Sequence, residues 1–536
     1  MKKRIIPKRY LISFDSHTYS HIFTDILVVG SGVAGLSAAI QASKKSSVLI
    51  VTKDKIDENN TAYAQGGIAV VLSPEDEVLK HKKDTLNAGQ GLCDASVVGM
   101  IISEGPKRVQ EMIDWGAEFD KENDHLIFTQ EGGHSFPRII RALGDSTGRE
   151  VENTLIRCIK RNKNIKVFEY TYAIDLITDD DNVCHGIVAW HPKKGITLIW
   201  AKQTILATGG CGQVYRETTN PNVATGDGLA MAYRAGATLQ DLEFVQFHPT
   251  TLYIAGAVRF LITETVRGEG GILRNKNGER FMPKYHERAE LAPRDVVSQS
   301  ILKEMQNTHH THVYLDIRHI PKKRLYTRFP KIKEICESFG IDISKDLIPV
   351  RPSAHYMIGG IKVDRFSMTT IKQLYACGEI ACTGMHGANR LGSNSLLEGL
   401  VMGNVAGFEA SKSAQNVKGT LAPFSISETS GGSKTSWLDL EDIGNSLKSL
   451  MWRKVGIERE EKRLLQAEEM IEMWCRYVMD KEFSTPQGWE LQNMLLVASL
   501  IVSSAYTRKE SRGVHHRTDY PQTDDIHWKK HILVIR

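Results

Sequence analysis

The stretch "DILVVGSGVAGLSAAIQASKKSSVLIVTK", residues 25–53, constrains what this chain can fold into more than any other. It reads as a buried strand, a tight glycine turn, a helix and a second strand, which together make one βαβ unit. Gly30, Gly32 and Gly35 have the G-x-G-x-x-G spacing. The first permits the turn, the second lets a pyrophosphate approach the backbone, and the third lets the helix pack closely, with the helix N-terminus facing the phosphates. A lone match of this kind carries little weight. Its place between a strand and a helix is what points to a dinucleotide rather than to a purely structural turn. The second strand ends in Thr52 and Lys53, where a ribose-binding acid usually stands, so this unit alone leaves FAD and NADP both open.

The 536-residue chain as a whole is globular in composition, 41% hydrophobic and 24% charged, and long enough for two or three domains. Its net charge is +5, but the basic residues are dispersed, so no nucleic-acid partner is expected. Eight cysteines show no Cys-x-x-Cys pair, so neither a disulfide framework nor a metal site is read from them, and a reducing compartment fits. The N-terminal "MKKRIIPKRYLISFDSHTYSHIF" is basic but lacks a continuous apolar core and a small-residue cleavage site. No run reaches about 18 consecutive apolar residues. The expectation is a cytoplasmic protein with no membrane partner.

Further along, "QTILATGGCG" (203–212) is a strand running into a Thr-Gly-Gly turn, and "QLYACGEI" (373–380) is a short strand ending in Gly-Glu. In flavoproteins of this organisation such strands return the chain to the first sheet, and the acid after the last one, here Glu379, meets ribityl hydroxyls. Their order behind the glycine turn favours FAD. Between them, residues 242–354 read as a mixed α/β insertion. "NVKGTLAPFSISETSGGSKTS" is poor in large apolar groups and reads as a linker, taken as 416–437. Beyond it, apolar residues at i, i+3, i+4 and i+7 predict amphipathic helices over 438–536.

Histidine and arginine recur beside glycine or proline: His248 in "FHPT", Arg267 in "TETVRGEG", Arg294 in "APRD", His355 in "PSAHYMIGG", and His386 with Arg390 in "MHGANRLGSNSLLEGL". Each by itself is as consistent with a structural histidine or a surface arginine. Together they supply the fixed cations and donors that a small dicarboxylate needs. The stretch "TQEGGHSFPR" adds one acid, Glu131, which by itself reads as a solvated turn residue.

"TAYAQGGIA", "FVQFHPT", "ELAPRD" and "HGANRLGSNSLLEGL" together resemble the succinate dehydrogenase and fumarate reductase flavoprotein superfamily, and within it the branch that oxidises L-aspartate. The resemblance runs from about residue 25 to the end and includes "KESRGVHHRTDYP". It implies an α/β fold: a Rossmann-like FAD-binding domain (25–241 and 355–415) with an inserted α+β capping domain (242–354) and a C-terminal helical bundle (438–536), preceded by an N-terminal extension (1–24). It assigns FAD to Gly30, Ser31, Gly32, Val33, Ala34, Gly35, Lys53, Asn60, Thr61, Ala62, Tyr63, Ala64, Gln65, Gly66, Gly67, Asp227, Glu379, Ser395 and Leu396. Substrate carboxylates would meet His248, Thr263, His355 and Arg390, with Gln246, Glu264 and Arg267 alongside. Arg294 matches the superfamily's proton-transferring arginine. An arginine is a poor base, so that role needs a network, for which Glu264 and Arg267 are candidates; the alternative is that Arg294 merely pairs with Asp295 or Glu290 at a helix start.

Two departures separate members of the superfamily. Membrane-bound succinate dehydrogenases attach FAD through a histidine just before the Thr-x-x-Ala-x-Gly-Gly run; this chain has Asn60 there, so non-covalent FAD is expected. The "EGGHS" pattern is shared with the aspartate-oxidising branch. It implies that Glu131, an acid among cations, reads an α-ammonium. The implied reaction is oxidation of L-aspartate to iminoaspartate, with electrons passed to oxygen or fumarate, as the first step of de novo NAD synthesis by the quinolinate route. The imine would be handed to quinolinate synthase. Rival readings are a soluble fumarate reductase or succinate dehydrogenase flavoprotein subunit and a non-catalytic flavin-binding protein.

Overall fold

The structure is a computed structural model that describes residues 7–417, 421, 423–428 and 437–536. Most of the expected linker, 418–420, 422 and 429–436, lies outside the described residues, as do residues 1–6 of the expected N-terminal extension.

The first βαβ unit forms as read: β1 (Ser20–Val29), α1 (Val33–Ala42) and β2 (Val48–Val51). Strand β1 begins ahead of residue 25. Upstream of it, Tyr10, Leu11, Ile12 and Phe14 are buried against Trp200 and Trp489, so the segment before the glycine turn belongs to a hydrophobic core. The chain continues through α2 (Thr147–Arg161), β3 (Ile165–Phe168), β4 (Tyr172–Thr178), β5 (Cys184–His191), β6 (Gly195–Leu206) and α3 (Asp227–Arg234). The main sheet has the order β3-β2-β1-β6-β5-β4. Strand β6 does two jobs along its length. Its first half pairs antiparallel with β5, while from Thr197 to Leu206 it lies parallel to β1, which delivers Ala207–Gly210 beside the glycine turn.

The inserted region contributes β7 (Val245–Leu252), β8 (Ile272–Arg274), α4 (Arg294–Asn307), β9 (Val313–Asp316) and β10 (Ile348–Met357), whose antiparallel sheet has the order β7-β10-β9-β8. Every residue of β7 is buried although it carries Gln246, His248, Thr250 and Thr251. Buried polar groups need partners, and theirs lie in the site below. Strand β11 (Leu374–Ala376) then returns to the main sheet beside β6. Helix α5 (Asn394–Asn416) packs on α1 through Gly403 and Gly407, where an added Cβ would stand 2.4 Å from Ala34 O and 2.2 Å from Ala38 O. Only glycine allows the two backbones to approach so closely.

The C-terminal region forms α6 (Leu440–Lys454), α7 (Glu461–Val478) and α8 (Pro486–Thr507), with α8 packed against α3. The predicted helical pattern stops at Thr507. Residues 508–536 fold back without a helix, and Val514 N donates to Ala388 O (3.0 Å), bracing the loop that carries Arg390. Among the described residues no helix is long and apolar enough to cross a membrane, and no group of three or more His, Cys, Asp or Glu side chains is placed to hold a metal.

Candidate active site

The glycine turn, the 60–67 segment and the inserted sheet enclose one continuous cavity of about 1220 Å³. Its wall includes Gly30 to Ala34, Lys53, Asn60, Thr61, Tyr63 to Gly67, Asp227, Glu379, Ser395 and Leu396, and also His248, Thr263, Glu264, Arg294, His355 and Arg390. Sequence segments more than 300 residues apart thus share one space, and the cofactor and substrate assignments fall on the same cavity. Gly35 and Ala62 do not border it. Gly35 instead lets the helix close on the turn: a Cβ there would lie 2.2 Å from Gly30 O. Gly30 itself has φ 110° and presses against Ala207 O, which a side chain would forbid.

The residues of this wall fit FAD. The turn leads into the N-terminus of α1, an anion-binding end, where Thr61 Oγ1 accepts from Val33 N (3.0 Å) and ties the 60–67 segment to the helix. Asn60 Oδ1 and Gln65 Oε1 are buried on this wall without a hydrogen-bond partner. Orphaned acceptors of this kind call for a ligand carrying donors. Glu379 accepts from Met357 N and Asn60 Nδ2, both at 3.0 Å. Burial raises its carboxyl above the ordinary range.

At one end of the cavity, Lys53 Nζ lies 2.7 Å from both Asp227 Oδ2 and Glu490 Oε1. Asp227 also accepts from Thr225 Oγ1 (2.7 Å), Tyr172 OH and Asn493 Nδ2 (both 2.8 Å). Burial works against the Lys53 charge, but the two carboxylates outweigh it and raise its pKa. The end of β2, where a ribose-binding acid usually stands, thus carries a lysine paired with two acids brought from α3 and α8.

At the other end, Arg294 opens α4 and donates from Nε to Glu264 Oε2 (2.6 Å). Its sequence neighbours are occupied elsewhere: Asp295 accepts from Asn389 (3.1 Å), and Glu290 pairs with Arg280 (2.6 Å). The pairing at the helix start weighed as an alternative does not form. Gln246 Oε1 accepts from both Arg294 Nη1 (3.4 Å) and Arg390 Nε (3.1 Å), so it bridges the two guanidiniums without bordering the cavity. Arg267 is also behind the wall, 3.6 Å from Glu264. Arg390 stacks 4.2 Å over the Tyr356 ring, and the His248 and His355 rings meet edge to face at 5.2 Å.

Burial and the facing arginines decide the charge states here. Desolvation first, then Arg294 and Arg390, push His248 and His355 well below the ordinary histidine value, so both rings are neutral at neutral pH. Desolvation and then Arg294 bring Arg390 down to about 10, which leaves it charged. Burial alone would raise Glu264, but Arg294 and Arg267 overcome it and hold the carboxyl below its usual value.

Glu131 is placed differently from the substrate contact that the sequence suggests. It does not border the cavity, and its two oxygens are taken: Oε1 by Arg141 Nη2 (2.7 Å) and Oε2 by the Ser393 hydroxyl (2.9 Å). Arg141, Ser393 and Glu490 are site residues that sequence reasoning missed. Ser393 stands inside the quoted "LGSNSLLEGL", two residues from Ser395, and was open to being noticed; Arg141 and Glu490 carry no local signal.

A model of the FAD binding domain matches residues 25–396, and one of the fumarate reductase flavoprotein C-terminal region matches residues 444–536. The L-aspartate oxidase 1 of Ralstonia nicotianae is 43% identical over 93% of this chain and 96% of its own. The chloroplastic L-aspartate oxidase 2-b of Nicotiana tabacum is 42% identical over 94% of this chain and 82% of its own. Among solved structures, a variant of the quinol fumarate reductase of E. coli superposes with a TM-score of 0.89 at 32% identity, covering 96% of each chain. With its cavity, its matched domains and these relatives, the chain belongs to the L-aspartate oxidase family of FAD-binding flavoproteins.

Proposed function

We propose that this protein oxidises L-aspartate to iminoaspartate with non-covalently held FAD, and passes the electrons to oxygen or fumarate as the first step of de novo NAD synthesis. The observation that carries this reading is the wall where Arg294 and Arg390 stand beside the neutral His248 and His355, with one acid, Glu264, on that wall and a second, Glu131, directly behind it. A dicarboxylate wants the cations; only an amino-dicarboxylate has a use for the acids.

Bound in the cradle, FAD supplies the two-electron acceptor for the hydride equivalent that leaves Cα. The protein's own groups do the rest. Arg390, charged and fixed between Tyr356 and Gln246, presents its guanidinium to one carboxylate. The Thr219 hydroxyl holds His355 Nδ1 at 2.8 Å; when it donates, the ring proton sits on Nε2, free to donate to a substrate oxygen. Arg294 moves the proton at the substrate, and Glu264, 2.6 Å from its Nε, is the adjoining proton carrier. This pair supports the network that an arginine needs to act in proton transfer. Asn60 has no nucleophilic ring nitrogen, which supports the non-covalent linkage.

Fumarate offers the same two carboxylates to the same cations, which makes it a natural second acceptor. The product imine hydrolyses readily, which favours hand-off to quinolinate synthase, and we place the protein in the cytoplasm. The test is to mix purified holoprotein with L-aspartate without oxygen and follow the flavin absorbance. Bleaching by L-aspartate and not by succinate is the expected result. Bleaching by succinate would favour a dicarboxylate dehydrogenase, and bleaching by neither would favour a flavin-binding protein without this activity.

A further inference from the structure

We infer that the Ser393 hydroxyl is the group that meets the substrate's α-ammonium, and that Glu131 and Arg141 are the positioning pair that turns its lone pairs into the cavity. This rests on the reading of L-aspartate as substrate. Ser393 borders the cavity, whereas Glu131 does not. The Ser393 hydroxyl has one proton, and it is committed to Glu131 Oε2 at 2.9 Å. An ionised carboxylate can only accept, so the bond has one direction. What the hydroxyl presents on its other side is acceptor alone, which suits an ammonium and has nothing to offer a carboxylate.

The backbone around Ser393 is arranged for this. Ser393 is the N-cap of α5, where a serine hydroxyl ordinarily accepts from a helix amide. Here it makes no cap hydrogen bond. The residue sits at φ 62° and ψ 3°, a left-handed conformation that non-glycine residues rarely adopt. Its carbonyl is pinned by Ala69 N at 2.9 Å. A Cβ on Gly66, which lines the cavity, would stand 3.5 Å from Ser393 Oγ, so the hydroxyl faces that wall. A Cβ on the neighbouring Gly392 would lie 2.8 Å from Arg294 Nη2 and 3.0 Å from Glu131 Oε2, which puts this corner beside the proton-transferring arginine.

Behind the serine, Glu131 is held rather than free. Arg141 Nη2 takes Oε1 at 2.7 Å, and Arg141 is itself fixed by Thr129 Oγ1 accepting from its Nε at 3.1 Å. The guanidinium offsets the cost of burying a carboxylate. It also leaves Oε2 as the oxygen that polarises the hydroxyl, and hydrogen bonds in such a chain strengthen one another. The ammonium thus meets a neutral oxygen that carries part of a glutamate's charge, while the site's cations keep theirs for the carboxylates.

The experiment compares L-aspartate oxidation and fumarate reduction in one preparation each of the wild type, Ser393→Ala, Arg141→Met and Arg141→Lys holoproteins. The aspartate-to-fumarate ratio of kcat/KM should fall by about tenfold in Ser393→Ala, mostly through KM for aspartate, because a charge-assisted hydrogen bond to substrate is lost. Arg141→Met should lower the ratio similarly, and Arg141→Lys, which keeps a cation, should recover most of it. A ratio unchanged within about twofold in Ser393→Ala overturns the proposal. So does a parallel loss of both activities in Arg141→Lys, which would mark Arg141 as structural. If Arg141→Met fails to fold, Ser393→Ala and Arg141→Lys still decide. A wild type that does not oxidise aspartate at all overturns the substrate reading first, and is recognised without any variant.

Discussion

The two ends of the cavity are both built from buried charge, yet they are balanced in opposite ways. At the Lys53 end one ammonium faces two carboxylates, Asp227 and Glu490, and the Asp227 oxygens are further met by Tyr172, Thr225 and Asn493. At the Arg294 end four arginines, Arg141, Arg267, Arg294 and Arg390, face two glutamates, Glu131 and Glu264. Several guanidinium nitrogens there, Arg141 Nη1 and Arg267 Nε and Nη2, have no hydrogen-bond partner. The first end is closed by the protein's own groups and holds its shape without help. At the second, Arg294 and Arg267 share one carboxylate and Arg390 is held by Gln246 and Ser395 rather than by an ion pair, an arrangement that costs stability until an anion arrives. Charge balance therefore separates the part of the site that is built to hold from the part that is built to exchange.

The sharpest way to break this contrast is at Arg294. If Arg294 moves the proton as proposed, replacing it with Leu should lower both aspartate oxidation and fumarate reduction by about two to four powers of ten while FAD remains bound. Turnover within about tenfold of wild type would show that the proton travels elsewhere. Next is Lys53→Met. Removing the single cation strands two acids, and even with Lys53 one-fifth exposed this should cost about 3 kcal/mol of stability and weaken FAD binding. Denaturant unfolding and flavin release would measure it, and most of the turnover should return once FAD is saturating. If it does not return, the two ends are coupled and the contrast fails.

Glu131→Gln tests whether the acids of the exchanging end serve the amine. It removes the negative charge behind the Ser393 hydroxyl without touching the substrate directly, so the ratio of aspartate oxidation to fumarate reduction should drop by up to about tenfold. Parallel losses would mean that Glu131 only holds its loop. The smallest effect is on acid stability. Burial and then Arg390 and Arg294 depress His355 far below 6.5, so below that pH the unfolded chain binds a proton that the folded one does not. Its contribution is therefore present above 6.5 and lost as pH falls below it. His355→Gln should flatten that acid-side slope by up to one proton, about 1.4 kcal/mol per pH unit, in urea unfolding followed across the range. An unchanged slope would mean that the ring is already protonated in the fold.

Much of the architecture was legible before any coordinates, because its signals are local. The glycine spacing of residues 30–35 gives a strand, turn and helix, the apolar periodicity after residue 438 gives helices as far as Thr507, and the mixed pattern of 242–354 gives a separate sheet. Motif resemblance also carried the cavity wall, down to Asn60, Glu379, His355 and Arg390. What the tertiary structure alone decided is which charges meet. Lys53 finds Glu490 across 437 positions, and Glu131 finds Ser393 across 262. Arg294 passes over Asp295 and Glu290 for Glu264, 30 residues away. Neither the tail beyond Thr507, which supports Ala388, nor the burial of Tyr10 to Phe14 follows a periodic pattern. The physical reason is that secondary structure depends on spacing along the chain, whereas an ion pair depends only on distance and desolvation in space, which no local pattern encodes.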